Sequence, residues 1–425
     1  MVRRVIGTAI GKSVAKAVKI RGKSSGQAMP GLVVETLIPG YLGAMLKQLP
    51  DGIVIVTGTN GKTTTTKMAV ELLEANGKKV LTNATGSNLT RGIISSVSQQ
   101  ATKSGKLPFD IAVFELDEAY ARQFTDVIRP RYVLALNASR DQLDRFGEVD
   151  TVAKLMGETM LSATDQLVVN ADDKRLSAIA ADAKTKTTYF GVAPSLLRFF
   201  PRDDELVAVD GKQATLEAAD VPLAVELLAF KGDAATYRVG KERLETVLQV
   251  TGQHNFQNAA GALALLLAVL PKVSPKTLVE QLGQVKPAFG RGEAFTLKNG
   301  TEVQLNLVKN PASFRQGLAS YAQKGVATMI AINDNIADSR DMSWLWDIDF
   351  SVLKEVNVEL TAGIRAVDMA LRLQYDDVKV KAIEPDLEKA FATFCALPGD
   401  KIIFASYTAM MALYDTLKRK AGKEL

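Results

Sequence analysis

A loop rich in glycine and hydroxyl side chains joins an apolar run to a helical pattern, and its residue types suit a phosphate group. The apolar run covers residues 53–56, and the loop reads Thr57-Gly58-Thr59-Asn60-Gly61-Lys62-Thr63-Thr64. Glycine lets backbone N–H groups face an anion, lysine can reach the terminal phosphates of a nucleotide, and the following hydroxyl can bind Mg²⁺. Val56 stands where the strict motif has a glycine. The pattern predicts a variant phosphate-binding loop, in preference to an ordinary strand-to-helix turn.

Further polar motifs follow this loop and supply candidate metal and nucleotide ligands. One ends an apolar run with Phe114-Glu115-Leu116-Asp117, whose carboxylates suit a divalent cation. The others are Arg140-Asp141-Gln142-Leu143-Asp144, Asn170-Ala171-Asp172-Asp173, Gly252-Gln253-His254-Asn255-Phe256-Gln257-Asn258 and Gly290-Arg291-Gly292-Glu293. Each motif alone is a weak signal, so their order along the chain carries the argument.

In this order the motifs resemble those of the Mur ligase family, enzymes that join an amine to a carboxylate while splitting ATP. The resemblance implies that ATP is bound by Gly58, Thr59, Asn60, Gly61, Lys62, Thr63, Thr64, His254, Asn255, Asn258 and Arg291, and Mg²⁺ by Thr63 and Glu115. Lys62 and Arg291 are the candidates for neutralising phosphate charge, and Asn258 is favoured for the adenine side. A purely structural, hydrogen-bonded role at a helix start remains an equal alternative for His254. Gln142 replaces the family's usual histidine, which leaves a second metal site open.

The C-terminal third narrows the resemblance. Lys309-Asn310-Pro311-Ala312, the carboxylate-rich segment 333–347 and Tyr407-Thr408-Ala409-Met410 resemble the MurT group, synthetase subunits of lipid II isoglutaminyl synthase. This resemblance implies ATP-dependent amidation of the D-glutamate α-carboxyl of lipid II through an acyl phosphate, in peptidoglycan biosynthesis. It also implies a heterodimer with a GatD-type glutaminase, in which Asp341 completes a Cys-His-Asp triad, acting at the inner face of the plasma membrane.

The composition of the chain agrees with a separate chain for glutamine hydrolysis. Glutamine hydrolysis of the usual kind needs a cysteine nucleophile and a histidine base. The chain has one of each, Cys395 and His254, and His254 already belongs to the nucleotide motif. Two alternatives stay open: a folylpolyglutamate-type or other amino-acid-adding ligase, and a non-catalytic phosphate-loop module.

Charge is distributed unevenly along the chain. The net charge is +5, yet seven basic residues precede the first acidic residue, Glu35: Arg3, Arg4, Lys12, Lys16, Lys19, Arg21 and Lys23. This segment is either a solvated helix face or a surface that lies near anionic lipid head groups. The absence of interleaved aromatic residues argues against nucleic acid. No apolar run reaches the ~18 residues of a membrane span, and the start does not read as a secretory signal, so we expect a cytoplasmic protein.

The elements that position these residues alternate between strands and helices. Apolar runs at 53–56, 79–81, 111–114, 132–136 and 167–169 predict buried strands, separated by helical patterns such as 66–75 and 151–162. Such alternation predicts a mostly parallel sheet with phosphates at the carboxyl ends of its strands.

The expected fold is therefore α/β, with a Mur-ligase-like central ATP-binding domain and a C-terminal Rossmann-like domain. We expect a basic segment at 1–40, the central domain at 41–297 and the C-terminal domain at 298–425. Within the central domain, residues 195–250 predict a β-rich insertion. Many MurT proteins carry a zinc ribbon there, but this segment has no cysteine ligands, so we expect no zinc site.

Overall fold

The computed structural model describes residues 1–20, 28–83, 90–140, 149–200, 220–250, 252–287, 291–322, 325–356 and 358–421, without the side chains of 118–120, 122, 123, 291 and 292. The helices are α1 (Val2–Ile20), α2 (Met29–Leu37), α3 (Tyr41–Leu46), α4 (Lys62–Ala75), α5 (Thr90–Gln100), α6 (Glu118–Val127), α7 (Val149–Met160), α8 (Lys174–Ala180), α9 (His254–Val269), α10 (Pro275–Leu282), α11 (Pro311–Tyr321), α12 (Ala366–Tyr375), α13 (Leu387–Ala396) and α14 (Tyr407–Lys420). Short 3₁₀ turns lie at Pro194–Phe199, Ser343–Asp347 and Ser351–Leu353.

The strands form two sheets. They are β1 (Gly52–Thr57), β2 (Val80–Thr82), β3 (Ile111–Glu115), β4 (Tyr132–Ala135), β5 (Gln166–Asn170), β6 (Lys186–Val192), β7 (Leu223–Lys231), β8 (Ala234–Val239), β9 (Glu242–Val247), β10 (Arg291–Thr296), β11 (Glu302–Leu307), β12 (Ala327–Ala331), β13 (Val358–Ala362), β14 (Val380–Glu384) and β15 (Lys401–Ala405). The nine-stranded sheet has the order β2-β3-β1-β4-β5-β6-β7-β8-β9. The six-stranded sheet has the order β10-β11-β15-β12-β13-β14.

The larger sheet is parallel from β2 to β7, and β8 and β9 extend it as antiparallel strands. Its strand β1 is apolar at four successive positions, residues 53–56, because both faces of the sheet are covered. Val54 and Val56 pack in the core beneath α4 and α9, whereas Ile53 and Ile55 pack on the opposite face with residues of α2, α3 and α5. The predicted mostly parallel α/β sheet is confirmed.

The segment predicted as a β-rich insertion contributes the edge of this sheet. After the 3₁₀ turn at Pro194–Phe199, strand β7 pairs with β6, and β8 and β9 follow as a meander. Residues 201–219 lie outside the described part of the chain. Tyr237 of β8 is fully buried, and its hydroxyl donates to the Phe256 carbonyl at 3.0 Å, which ties this edge to α9.

The smaller sheet carries the second α/β layer. Only β10 runs antiparallel, and β11, β15, β12, β13 and β14 are parallel neighbours. This sheet begins with β10 at Arg291, ahead of the boundary predicted at residue 298. Separate apolar clusters cover its two faces, one around Phe391 and Phe394 and the other around Phe314 and Phe350. In the described ranges, every helix is too short or too polar to cross a bilayer.

Candidate nucleotide-binding site

Residues 57–64, the phosphate loop, connect the carboxyl end of β1 to the first turn of α4. Gly58 and Gly61 have φ angles of 144° and 86°, which favour glycine. A Cβ atom at Gly58 would lie 2.9 Å from Leu136 Cβ, and one at Gly61 would lie 2.4 Å from Asn258 Oδ1. Both glycines are therefore required by conformation and by space. Because α4 starts at Lys62, the positive end of the helix dipole lies at the loop, where it would favour an anion.

An asparagine that follows β4 holds the loop from the side. Asn60 donates its backbone N–H to Asn137 Oδ1 at 2.9 Å, and Asn137 Nδ2 donates to the Asn60 carbonyl at 3.0 Å. The Thr59 N–H donates to the Asn137 carbonyl at 2.9 Å, and the Ser139 N–H donates to Thr59 Oγ1 at 3.0 Å. Four hydrogen bonds thus fix the conformation of the loop before any ligand contact is made.

Lys62 is buried, and its ammonium group lies over the loop itself. The Nζ atom donates to the Gly58 carbonyl and, at 3.5 Å, to the Thr59 carbonyl. The predicted cation is therefore next to the backbone that would surround a phosphate. A lysine ammonium has three donors on a flexible stem, so it can exchange a carbonyl for a phosphate oxygen with little movement.

Thr63 and Glu115 come together although they lie on different elements. Thr63 Oγ1 in the first turn of α4 donates to Glu115 Oε1 at the end of β3, at 3.0 Å. Asn83, which follows β2, bonds the Glu115 backbone on both sides: Nδ2 donates to the carbonyl at 2.9 Å, and Oδ1 accepts the N–H at 3.0 Å. A hydroxyl and a buried carboxylate that meet beside a phosphate site are a donor set that fits Mg²⁺, which prefers oxygen ligands.

The predicted residues of α9 lie against the same loop. Asn258 is buried and packs on Gly61, and its Nδ2 donates to Asn255 Oδ1 at 3.0 Å. His254 lines a cavity together with Asn60, Gly61 and Thr64. The structure therefore brings the glycine loop and the α9 motif into one site. For Arg291 it describes the backbone in β10 only, so the predicted phosphate contact lies outside the described side chains.

The smaller sheet contributes residues that the sequence motifs did not assign to the site. Lys309 Nζ donates to the Thr59 carbonyl at 3.0 Å, and Asn310 Nδ2 donates to Asn60 Oδ1 at 3.1 Å. Asn310 also caps α11, since its Oδ1 accepts the Ser313 N–H at 2.8 Å. The beginning of α11 thus contacts the loop directly. The Lys-Asn-Pro run signals the helix start, because Pro is common at the first helical position, but it does not signal the contacts with the loop.

A buried amide in the cavity tests whether a polar ligand fits there. Asn306 of β11 is 3 % exposed and lines the cavity with His254 and Thr64. Within the described part of the chain, neither its Oδ1 nor its Nδ2 has a hydrogen-bond partner. A buried amide without a partner is costly. A ligand with both donors and acceptors, such as a nucleoside, would satisfy it.

Asp341 lies on a different element, the loop that leads from β12 to the 3₁₀ turn Ser343–Asp347. Its Oδ1 accepts the Ser343 N–H at 2.8 Å. The preceding loop is held by Asp338, whose carboxylate accepts the Thr408 N–H at 2.7 Å and the Thr408 hydroxyl at 2.5 Å. Asp347 at the end of the turn pairs with Arg140 at 3.0 Å, which links this region to the larger sheet. The residues 141–148 that follow Arg140 lie outside the described part.

Comparison with known proteins bears on the identity of this site. A family model of the Mur ligase middle domain matches residues 56–266, and one of the MurT ligase C-terminal region matches residues 307–410. The chain is 29% identical over 96% of its length to lipid II isoglutaminyl synthase (glutamine-hydrolyzing) subunit MurT of Staphylococcus aureus (strain COL), of which it covers 97%. It is 28% identical to the subunit of the same name from Streptococcus pneumoniae (strain ATCC BAA-255 / R6), with 92% of each chain covered.

Solved structures show the same fold. MurF from Acinetobacter baumannii superimposes with a TM-score of 0.68 at 20% identity, over 93% of this chain and 80% of that one. Escherichia coli FolC in complex with DHPP and ADP gives a TM-score of 0.63 at 15% identity, over 89% and 92%. The resemblance predicted from the motifs is confirmed, and the chain belongs to the Mur ligase family of ATP-dependent ligases.

Proposed function

We propose that the chain is the synthetase subunit of a lipid II isoglutaminyl synthase. In this proposal it uses ATP to convert the α-carboxyl of D-glutamate in the lipid II stem peptide into an acyl phosphate. Ammonia then displaces phosphate and gives D-isoglutamine, a step of peptidoglycan biosynthesis at the inner face of the plasma membrane. The observation that carries the proposal is the phosphate loop with its Thr63–Glu115 pair, contacted by Lys309 and Asn310 at the beginning of the MurT-type region.

The residues of the site divide the work of phosphoryl transfer, which is mainly positioning and charge neutralisation. Lys62 and the first turn of α4 neutralise the charge on the phosphates, and we assign Arg291 to the same task. Asn255 and Asn258 hold the nucleoside side, with Asn258 toward the adenine. Thr63 and Glu115 hold Mg²⁺, which when bound shields the charge that develops on the transferred phosphoryl group.

The source of ammonia is assigned to a second chain. The sequence contains a single cysteine, Cys395, which lies on α13 and packs against the apolar cluster around Phe391 and Phe394. Burial raises the pKa of the Cys395 thiol, and a raised pKa leaves less of the nucleophilic thiolate. The curated relatives are named as subunits, which agrees with a partner. We therefore propose a heterodimer with a GatD-type glutaminase.

An exposed apolar surface beside Asp341 supports docking of that glutaminase. Helix α12 exposes Val367, Leu371 and Tyr375, which recur every four residues and so share one face. Trp346 from the 3₁₀ turn after Asp341 is exposed too, and its ring lies 5.0 Å from the Tyr375 ring. Contiguous exposed apolar side chains mark protein-binding surfaces. A glutaminase docked there would meet Asp341, whose carboxylate can orient the histidine of a Cys-His pair and stabilise its charged form.

The test compares two nitrogen sources in the assembled complex. Asp341→Asn should remove amidation driven by glutamine and spare amidation driven by added ammonium, because only the glutaminase needs this carboxylate. Lys62→Ala should remove both, since the loss of the ammonium affects phosphoryl transfer itself. The measurement is the mass of the lipid II product with each nitrogen source. Equal loss of both activities in Asp341→Asn would assign Asp341 to the synthetase site, and near-normal amidation by Lys62→Ala would remove the phosphate-loop assignment.

A further inference from the structure

Helix α1 is held against the protein by a face of very small residues. A Cβ at Gly7 would lie 2.3 Å from a ring carbon of Tyr41, and a Cβ at Gly11 would lie 2.3 Å from Ser98 Oγ. Between them, Thr8 Oγ1 lies 2.8 Å from the Tyr41 hydroxyl. This close approach fixes how the helix is rotated about its axis. One face of α1 therefore packs against the protein, and the residues of the opposite face must point outward.

The opposite face of α1 is uncharged and exposed. Its residues recur at intervals of three or four and are all exposed: Val2, Ile6, Ala9, Ser13, Ala17 and Ile20. Val2, Ile6 and Ile20 are 70%, 45% and 77% exposed. A surface helix of a globular protein normally turns charged and polar residues outward and apolar ones inward. Here the outward face is the more apolar one, which indicates that it meets something other than bulk water.

Basic residues lie next to this face and near the beginning of the helix. Lys12, Lys16 and Lys19 follow one side of it along the helix, by the helical spacing of their positions. The turn that contains Lys103 and Lys106 packs beside the beginning of α1, because a Cβ at Gly105 would lie 2.9 Å from the backbone of Arg4.

The acidic residue in this part of the sequence already forms an ion pair. Between residues 1 and 50 the only acidic residue is Glu35 of α2, and its carboxylate accepts Arg91 Nε at 2.7 Å. The charge of this corner of the molecule is therefore strongly positive. A surface that matches this corner in charge and polarity would be anionic and would carry apolar groups next to its charges.

We propose that α1 lies flat on an anionic lipid bilayer, with Val2, Ile6 and Ile20 in the head-group boundary and its lysines at the lipid phosphates. Interfacial helices bind in this way, through buried apolar area and attraction to anionic lipids. The chain would then sit on the membrane through a helix that is a fixed part of its fold. The inference stands apart from the proposed reaction, since lipid binding is measured without turnover.

The experiment measures cosedimentation of the full chain with vesicles of phosphatidylcholine alone or with added phosphatidylglycerol. We expect binding to the anionic vesicles that weakens as salt is raised, because added ions screen the charges. The triple variant Lys12→Gln/Lys16→Gln/Lys19→Gln should lower this binding by roughly tenfold or more. The double variant Val2→Gln/Ile6→Gln should lower it while leaving its salt dependence in place.

Matched controls place the same substitutions elsewhere on the surface. Lys184→Gln/Lys272→Gln/Lys379→Gln removes three exposed charges, and Val247→Gln/Val352→Gln removes two exposed valines. Both controls should bind anionic vesicles like the unmodified chain. Equal binding by the α1 variants and their controls would overturn the proposal. So would an α1-dependent dimer in light scattering without vesicle binding, because the face would then belong to a second copy of the chain.

Discussion

At the scale of single residues, amide side chains outside the phosphate loop set the geometry of the site. Asn137 fixes the loop backbone. Asn83, which follows the neighbouring strand β2, fixes the backbone of Glu115. Each amide satisfies one donor and one acceptor of the chain, so the position of the proposed metal ligands does not depend on long flexible side chains. The Thr63–Glu115 pair, which we propose as the Mg²⁺ ligands, is therefore held in a fixed geometry.

A metal titration tests this pair. Thr63→Val and Glu115→Gln should each raise the Mg²⁺ concentration for half-maximal activity, by about 10–100-fold, which is the scale measured when groups that support metal ligands are removed. Thr63→Ser keeps the hydroxyl and should behave like the unmodified chain. The readout is ATP-dependent amidation over a range of Mg²⁺ concentrations. An unchanged midpoint for both disruptive variants would take these residues out of the metal site.

The sequence predicted the residues whose roles lie within one motif. Gly58, Gly61 and Lys62 belong to a single loop with a recognisable spacing, and the structure joins that loop to the α9 motif. Asn137, Asn306 and Lys309 were not predicted because their roles depend on which strands become neighbours. Polar residues after apolar runs gave a hint, but many loops carry such residues, and only the strand order selects between them.

At the scale of elements, small residues decide how closely helices pack. A Cβ at Gly31 of α2 would lie 1.8 Å from the Arg91 carbonyl oxygen in α5, whereas a Cβ at Gly43 of α3 would meet nothing within 4 Å. Both glycines lie in helices near the same core, so they form a matched pair.

Thermal unfolding of these two variants separates packing from helix propensity. Gly31→Ala should lower the midpoint, because the methyl group pushes α2 away from α5 at a cost of about 1–3 kcal/mol. Gly43→Ala should leave the midpoint unchanged or raise it, because alanine restricts the unfolded chain and stabilises helix by about 0.4–1 kcal/mol. Circular dichroism provides the measurement. A loss of equal size in both variants would mean that the contact between α2 and α5 does not set their spacing.

The alternation of strands and helices was predictable because a buried parallel strand is a nearly continuous apolar run, as residues 53–56 of β1 are. The start of the second sheet at β10 was harder to predict. Its first residues belong to the motif 290–293, whose two glycines look like a loop, and its pairing with β11 is not visible in the local sequence. Element types therefore follow from local pattern, whereas sheet membership does not.

At the scale of the whole molecule, the two sheets meet at the phosphate loop. Asn310 is buried, contacts Asn60 and caps α11, so one side chain serves both the helix and the junction. The Gln253 N–H, just before α9, also donates to Ser320 Oγ of α11 at 3.3 Å, which adds a second contact between the two layers. Rotation of one layer against the other would therefore move the wall of the nucleotide site.

A pair of cap variants tests the junction. Asn310→Ala should lower stability by about 1 kcal/mol and also raise the KM for ATP several-fold, because it removes a helix cap and a contact to the loop. Ser274→Ala removes the cap of α10, where Ser274 Oγ accepts the Thr277 N–H at 3.1 Å, and should lower stability alone. Chemical denaturation and steady-state kinetics give the two quantities. A rise in KM for both variants would show that lost stability, not the junction, weakens ATP binding.

The hydrogen bonds of the polar groups at the loop bear on how quickly a nucleotide could leave the proposed site. Lys62 bonds to the Gly58 carbonyl, Lys309 to the Thr59 carbonyl, and the Thr63 hydroxyl to Glu115. If ATP is used as proposed, a departing ADP would return each of these groups to a partner in the chain, and no buried charge would be left without a hydrogen bond. Exchange of this kind lowers the barrier to product release, since the penalty of an unpaired buried ion does not arise. In the proposed reaction, the same exchange would lower the affinity for ADP and so favour its release after each turnover.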